Sequence, residues 1–579
     1  MTTHVSDIFQ TPTELRLEKL SFCATNVSSL EDWLAALSNM PLGDAAHTLF
    51  AALLEISALQ CDECLRFDLM QVLHPHLQHV LSSLEKHFFN QGLISSERNS
   101  HMIELASLMH GHIARVYIDL ARRSHQKLIG QNFSWLAFKQ KRRLNHVRMF
   151  ATYAALEEIT ALCYQQHMLY SMPLKGQWQT ANELLEWAMQ HHFHQTELEL
   201  PSNHPHQLNS IAQAYSRLIL LEILNTHQIR PAEIQGLYLC SLDWAKLVQI
   251  LPKESSTARY IVDTSKDHPP IYNSQYAQAL EASIYISTQK LLEHFTEIQR
   301  KQSEYLSSNE KIFLTPALHF HIHNLLTNQV GRRSERYDYS APLKVCLGLH
   351  VAHFYLSQGK NFYDTLNLDQ AVSSLHSNPI LSSNTRTRAM HTMPTVDREA
   401  RQIYAAEVVN ISLNGYRIRW NKDAPKNLKT GELILVQENT QTQWRCATIR
   451  WIKQSTEHKL ELGLEILAQH MYPCSVHIRH EQQQQHYYTA LLTQNIQLDL
   501  VKNSLILPGL PLFREKQTIF LRLGNTEIKV YLVKALLITQ SFMQFEYELL
   551  NEEQMPLIEQ FMAQMQHEIK NHDLWEALK

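Results

Sequence analysis

The sequence predicts an α+β multidomain protein: an all-α region over 1–325, then a small antiparallel β-barrel with an insertion over 326–480, then a second β-rich domain with a closing helix over 487–579. Three observations predict it. The chain has 579 residues, which corresponds to roughly three to five domains. Only six of its 14 glycines precede residue 330, and scarcity suits long helices, where Gly costs about 1 kcal/mol relative to Ala. The hydrophobic period then changes from helical to alternating near residue 330.

The helical elements follow from stripes and caps. Ser28-Ser29-Leu30-Glu31 has capping-box spacing, with Val27 as its staple, ahead of Trp33, Leu34 and Leu37. Leu69, Val72, Leu73, Leu77, Val80 and Leu84 form one stripe that contains Pro75, so a kink or a break into two helices is expected there. Met102 to Ala121, Val147 to Met168, Ala181 to Met189 and Ile211 to Leu224 show similar stripes, and Pro231 stands at the start of another helix. The period reads as helical throughout 28–330, with no fixed repeat.

After residue 330, Leu343, Val345, Leu347, Leu349 and Val351 alternate as in a half-buried strand. Tyr416, Ile418 and Trp420 alternate with Arg417 and Arg419, and Leu460 to Ile466 does the same. Leu433 to Val436 and Trp444 to Trp451 are further strands, so about 80 residues hold several short strands, a barrel pattern. The run Glu481 to His486 reads as a polar linker. Strands are expected at Tyr487 to Leu492, Ile496 to Leu500, Ser504 to Leu507, Ile519 to Leu523, Glu527 to Leu532 and Phe545 to Leu549, with a helix over 552–577.

Composition narrows the function. Lys plus Arg is 52 against 56 Asp plus Glu, a formal net charge of -4, which argues against a polymeric nucleic-acid partner. No run of 18 apolar residues and no secretory leader is evident, so no membrane span is expected and the chain reads as cytoplasmic. The eight cysteines read as reduced thiols. No Gly-rich phosphate loop, GxSxG or HExxH occurs, so no catalytic residue is assigned and the chain is not expected to be an enzyme. Cys61 and Cys64 form a lone CxxC. His319, His321 and His323 alternate on a strand or share a helical face. His191, His192 and His194, and the pair His204 and His206, read as surface. None has the spacing of a second ligand pair, so no metal and no cofactor is expected.

Two groups remain that can carry binding chemistry. Arg332, Arg333 and Arg336 form R-x-x-x-R with a basic neighbour just before a strand, and such arginines fork onto phosphates or onto the O6/N7 edge of guanine. Asn410, Ser412 and Gly415 form N-x-S-x-x-G, two short directional hydrogen-bonding side chains plus a glycine that permits a tight turn or a close backbone approach. On the residues alone, a solvated basic loop and an ordinary β-turn remain an open alternative.

R-x-x-x-R followed by [D/N]-x-S-x-x-G resembles the signature of PilZ domains, bacterial receptors for cyclic di-GMP. The strands GELILV at Gly431 to Val436 and IRWI…LELGLEIL at Ile449 to Leu467 are similar to the PilZ barrel. Trp33 to Leu37 and Cys346 to Leu356 resemble the large proteobacterial PilZ proteins with a helical N-terminal region. The resemblance implies a six-stranded antiparallel barrel and a cyclic di-GMP ligand gripped by Arg332 and Arg336, with Asn410 and Ser412 contacting it from the barrel and Gly415 shaping the turn. It also implies a receptor that couples the nucleotide to a protein partner through the helical region, in type IV pilus, twitching or biofilm control; the alternative is a PilZ-like adaptor that binds no nucleotide. Between Arg336 and Asn410 lie 73 residues, longer than in compact PilZ domains. Leu349 to about Arg398 therefore reads as an insertion, partly helical. Arg398 and Arg401, with R-x-x-R spacing, are the poorer arginine pair.

Overall fold

In the computed structural model the chain divides into two compact units, 1–226 with 231–329, and 227–230 with 330–579. The structure describes all residues except 1–7, 10–12, 38–39, 90–96, 131–136, 200–207, 276–282, 302–304, 328–335, 367–400, 413, 422–423, 439–442, 455–458, 469, 480–485, 498–499 and 577–579.

The first unit holds α1 (Val27–Ala36), α2 (Leu42–Ala58), α3 (Glu63–Phe88), α4 (Glu97–Gly130), α5 (Phe138–Met168), α6 (Gln177–Gln190), α7 (Ile211–Ile223) and α8 (Pro231–Trp244). After them come β1 (Gln249–Leu251), β2 (Tyr260–Asp263), β3 (Ile271–Tyr272), β4 (Ser283–Ser287), α9 (Gln289–Lys301), α10 (Ser308–Phe313) and α11 (Pro316–Thr327).

One expectation shifts at a helix end, and at Pro75 the break is excluded. Asn26, not Ser28, caps α1, its Oδ1 accepting from the Ser29 amide at 2.9 Å, so Val27 is the first helical residue rather than a staple. α3 runs unbroken through Pro75. The helices are joined by a buried polar cluster. Glu158 on α5 takes His74 of α3 at 2.7 Å and His110 of α4 at 2.9 Å, and Tyr117 reaches the other His74 nitrogen at 2.9 Å. Burial alone would raise the Glu158 carboxyl, but His74 and His110 together hold it down at about 2.

The helical period does not persist to residue 330. A four-stranded antiparallel sheet of order β1-β4-β2-β3 interrupts it. Its strands have two to five residues, too short to display an alternation. Asp267, in the connection from β2 to β3, caps α6 instead of a local side chain, accepting from the amides of Gly176 at 2.6 Å and Gln179 at 3.0 Å.

The second unit contains β5 (Arg336–Leu347), α12 (Leu349–Leu356), α13 (Phe362–Thr365), β6 (Tyr404–Ser412), β7 (Gly415–Trp420), β8 (Leu433–Glu438), β9 (Arg445–Gln454) and β10 (Leu460–Ala468). These are followed by β11 (His470–His477), β12 (Tyr488–Gln497), β13 (Leu500–Pro508), β14 (Gln517–Leu523), β15 (Thr526–Ile538), β16 (Phe542–Leu549) and α14 (Met555–Glu576). Two closed six-stranded antiparallel barrels result, β5-β6-β7-β10-β9-β8 and β11-β12-β13-β16-β15-β14. Val408, Ile418, Leu462 and Ile452 make one inward layer of the first barrel, each fully buried.

The strand expected to continue through Leu349 and Val351 ends at Leu347. Gly348, at φ 96°, turns the chain where a side chain would be strained, and α12 begins. α12 buries Leu349, Val351, Ala352, His353 and Leu356. Its His350 Nδ1 lies 2.9 Å from Thr489 Oγ1 of β12, and the Leu366 carbonyl beyond α13 accepts from Arg522 of β14 at 2.8 Å. The described part of the insertion therefore packs onto the second barrel. Arg230 joins the same unit. It donates to the Thr430 carbonyl at 2.9 Å, lies 3.4 Å from Glu432, and hydrogen bonds Ser541 of the second barrel. β11 was not legible as a strand; it carries Pro473 at its centre, a residue depleted within sheets.

Candidate functional site

The two motifs separated by the insertion meet across one ladder. β5 and β6 pair antiparallel with Arg336 opposite Ser412 and Asp338 opposite Asn410. β6 and β7 form the hairpin that closes the motif, with Ser412 opposite Gly415. A register shift between Val408 and Asn410 changes the phase of β6. Val408 stays with the inward Ile418, while Asn410 moves to the position opposite Arg417 on the outer face, because directly paired residues share a face.

That outer face can be followed across five strands. One row runs Asp338, Asn410, Arg417, Gly463, Trp451. The row beside it runs Arg336, Ser412, Gly415, Glu465. A third runs Glu407, Arg419, Glu461, Lys453. Arg336 is exposed and Asn410 is buried at 7%.

Glycine makes the face flat at two points. A Cβ on Gly415 would stand 2.0 Å from the Leu464 carbonyl oxygen, so β7 rests directly on the β10 backbone and no larger residue fits. The motif glycine thus serves a close backbone approach rather than a left-handed turn, the use expected of Gly inside a strand. Ser412 Oγ donates to the Gly415 carbonyl at 3.3 Å and closes the hairpin. A Cβ on Gly463 would lie 2.0 Å from the Trp451 indole nitrogen, so the indole ring covers this glycine.

Glu461 organises the cations. Arg417 donates its Nε to Glu461 Oε2 at 3.1 Å, and Arg419 lies 3.6 Å from Glu461 and 3.7 Å from Glu407. Both guanidiniums are about a third exposed, 37% each. The face thus presents guanidinium forks, an amide, a hydroxyl and an indole, donors and an aromatic surface for a planar ligand that bears phosphate. Among the described residues of this face no hydroxyl or thiol is paired with a base in the geometry of an activated nucleophile.

Arg332 and Arg333 lie outside the described residues, as does Arg398. Arg401 is engaged elsewhere. It donates to Asn361 Oδ1 at 2.9 Å and its guanidinium sits 4.3 Å from the Phe354 ring centroid, next to α12 and α13. Arg417, Gly463 and Trp451 were not singled out from the sequence. The alternation that exposes Arg417 was visible in it, but only the register shows that Arg417 and Trp451 flank one glycine beside Asn410. Among the described residues no group of three His, Cys, Asp or Glu is placed to hold a metal. His319 and His323 share a face of α11, stacked at 6.1 Å, and Cys61 and Cys64 are free thiols. No helix among the described residues is long and apolar enough to cross a membrane.

An antiparallel six-stranded barrel with an arginine-bearing strand entry beside an N-x-S-x-x-G hairpin is the architecture of a PilZ domain. Comparison with known proteins agrees. Residues 28–254 match the family model of the N-terminal domain of the cyclic-di-GMP receptor FimW, 259–394 and 373–473 its middle PilZ domain, and 474–550 its C-terminal β-barrel domain. The chain is 25% identical over 588 aligned positions to the cyclic-di-GMP receptor FimW of Pseudomonas aeruginosa, covering 94% of this chain and 93% of that one. The chain belongs to the FimW family of PilZ-domain proteins.

Proposed function

We propose that this protein is a cytoplasmic, non-enzymatic receptor for cyclic di-GMP. The nucleotide is held on the outer face of the first barrel by Arg332, Arg333, Arg336, Asn410, Ser412 and Gly415, and its occupancy is passed to a protein partner through the helical unit, in control of type IV pili or surface attachment. The observation that carries the reading is the β5–β6 register, which sets Arg336 opposite Ser412 and Asp338 opposite Asn410 although 73 residues, the insertion among them, separate Arg336 from Asn410. The name of the Pseudomonas aeruginosa relative supports the same ligand.

Two phosphates and two guanines need charged forks and a stacking surface. Arg336 opens β5 opposite Ser412 of the hairpin, Arg332 and Arg333 precede it in sequence, and Trp451 lies at the far end of the Asn410 row. Contacts between the nucleotide and the segment that bears Arg332 and Arg333 are the ones that differ between two states, the condition for any shift of a conformational equilibrium. Calorimetric titration of the purified chain with cyclic di-GMP tests the reading. Saturable heat with the nucleotide recovered intact is expected, whereas no heat and no competition at low-micromolar protein leaves only the adaptor role.

A further inference from the structure

We infer that the end of the α4–α5 helix pair is a docking surface for the anionic face of a lipid bilayer. The first six residues of α5, Phe138 to Arg143, are all exposed, and four of them are cations: Lys139, Lys141, Arg142 and Arg143. α4 ends beside them with Lys127 and Ile129. Phe138 and Ile129 are each 69% exposed, so two large apolar side chains, one at the end of α4 and one at the start of α5, stand unshielded.

Local folding does not account for the charges. The first turn of α5 contains no acidic residue, and Ala137 provides no side-chain cap. Cations at a helix N-terminus oppose the helix dipole, so the helix itself gains nothing from them. Intramolecular pairing takes up only part of the charge. Arg143 meets Asp68 at 2.6 Å and Lys127 meets Asp62 at 3.1 Å. Arg142 approaches Glu199 at 3.6 Å with both side chains largely in solvent, at 73% and 87% exposure. Among the described residues no carboxylate pairs with Lys139 or Lys141.

Charge complementarity selects an anionic occupant, and the apolar pair selects a membrane over an acidic protein segment. Long basic side chains keep their charge among the headgroups while Phe and Ile enter the acyl boundary, the division of labour of interfacial membrane helices. The chain as a whole carries -4, so attraction to an anionic leaflet rests on this local basic run rather than on net charge.

The test is flotation of the full chain with vesicles of three parts phosphatidylcholine to one part phosphatidylglycerol, and with vesicles of phosphatidylcholine alone. Binding at least about tenfold stronger to the anionic vesicles, released by high salt, is expected. The pair Lys139→Glu with Lys141→Glu loses that binding, and the pair Ile129→Ser with Phe138→Ser weakens it about fivefold or more. All four positions are exposed, so helicity and unfolding temperature stay at the wild-type values, and the salt dependence of the unaltered chain is an independent readout. Equal flotation with both vesicles, or wild-type flotation by the correctly folded charge-reversed pair, overturns the proposal. Capture of a polyglutamate peptide that is indifferent to the Ile129 and Phe138 changes, without flotation, assigns the patch to an acidic protein segment instead.

Discussion

The two barrels of the second unit follow one strand order. Numbered from its own first strand, each closes as 1-2-3-6-5-4. Each also carries two register shifts between its fifth and sixth strands, at Gly463/Leu464 and Ile466/Ala468 in the first and at Leu532/Lys534 and Ala535/Leu537 in the second. Yet the hairpin that bears Asn410, Ser412 and Gly415 in the first barrel corresponds in the second to Gln494-Asn495-Ile496-Gln497-Leu498-Asp499-Leu500, which has neither serine nor glycine. The second barrel places its polar side chains differently. Thr493, Ser504 and Gln544 are buried and hydrogen-bonded to one another at 2.6 and 2.9 Å. The same topology therefore carries the proposed ligand face in one copy and an internal polar lock in the other. Function resides in side chains grafted on the barrel rather than in the barrel itself.

The sharpest break in the comparison comes from the arginines. Arg332→Ala and Arg336→Ala should each cost about 1.5–3 kcal/mol of cyclic di-GMP affinity, the worth of hydrogen bonds to charged groups. Arg401→Ala should cost much less, since that side chain is held by Asn361 and Phe354. Titration calorimetry on the three variants decides it; a reversed order would show that the motif is misassigned.

Trp451→Ala tests the stacking surface. A loss of about 1–3 kcal/mol in affinity is expected, the usual worth of one base on an aromatic ring. Phe520→Ala on the second barrel should leave affinity unchanged, and equal effects would mean that the ligand does not distinguish the barrels.

Glycine separates stability from binding. Gly415→Ala meets the Leu464 carbonyl oxygen at 2.0 Å and Gly509→Ala meets the Gln540 carbonyl oxygen at 2.5 Å, so denaturant unfolding should show each losing about 1–3 kcal/mol of stability through overpacking. Affinity should fall only for Gly415→Ala, because only that glycine lies in the ligand face.

The smallest effect concerns the helix α12 beside the second barrel. Burial lowers the His353 imidazole to about 4, despite a hydrogen bond to the Cys474 backbone, and His350 adds to the lowering. The folded pKa lies below the ordinary 6.5, so the folded form binds its proton less readily than the unfolded one. The contribution is complete above 6.5 and is lost as pH falls toward 4. Between those values hydrogen exchange should rise in α12 and in the strands around Cys474, and His353→Phe should flatten the response. Unchanged exchange across that interval would show that α12 is not held by a neutral His353.

What could be read in the sequence depended on how local each signal was. Helices such as α3, which buries Leu69, Leu73, Leu77, Val80 and Leu84, announce themselves because a stripe repeated over several turns is a property of one segment. β7 and β10 show their alternation for the same reason, and the R-x-x-x-R and N-x-S-x-x-G residues stand out by type and order. The short strands β1 to β4 remained hidden because a two- to five-residue strand is held by its neighbours rather than by its own pattern. β11, with Pro473 inside it, gave a local signal against a strand.

The sequence by itself determined the class of fold, an α-rich region followed by barrels, and the residue types able to grip a charged, planar ligand. Tertiary structure decided that Arg336 stands opposite Ser412, that a register shift carries Asn410 to the face of Arg417, and that Trp451 covers Gly463. The physical reason is that periodicity is set by backbone geometry within a segment. Register and face are set by hydrogen bonds between segments, which the periodicity of neither segment alone encodes.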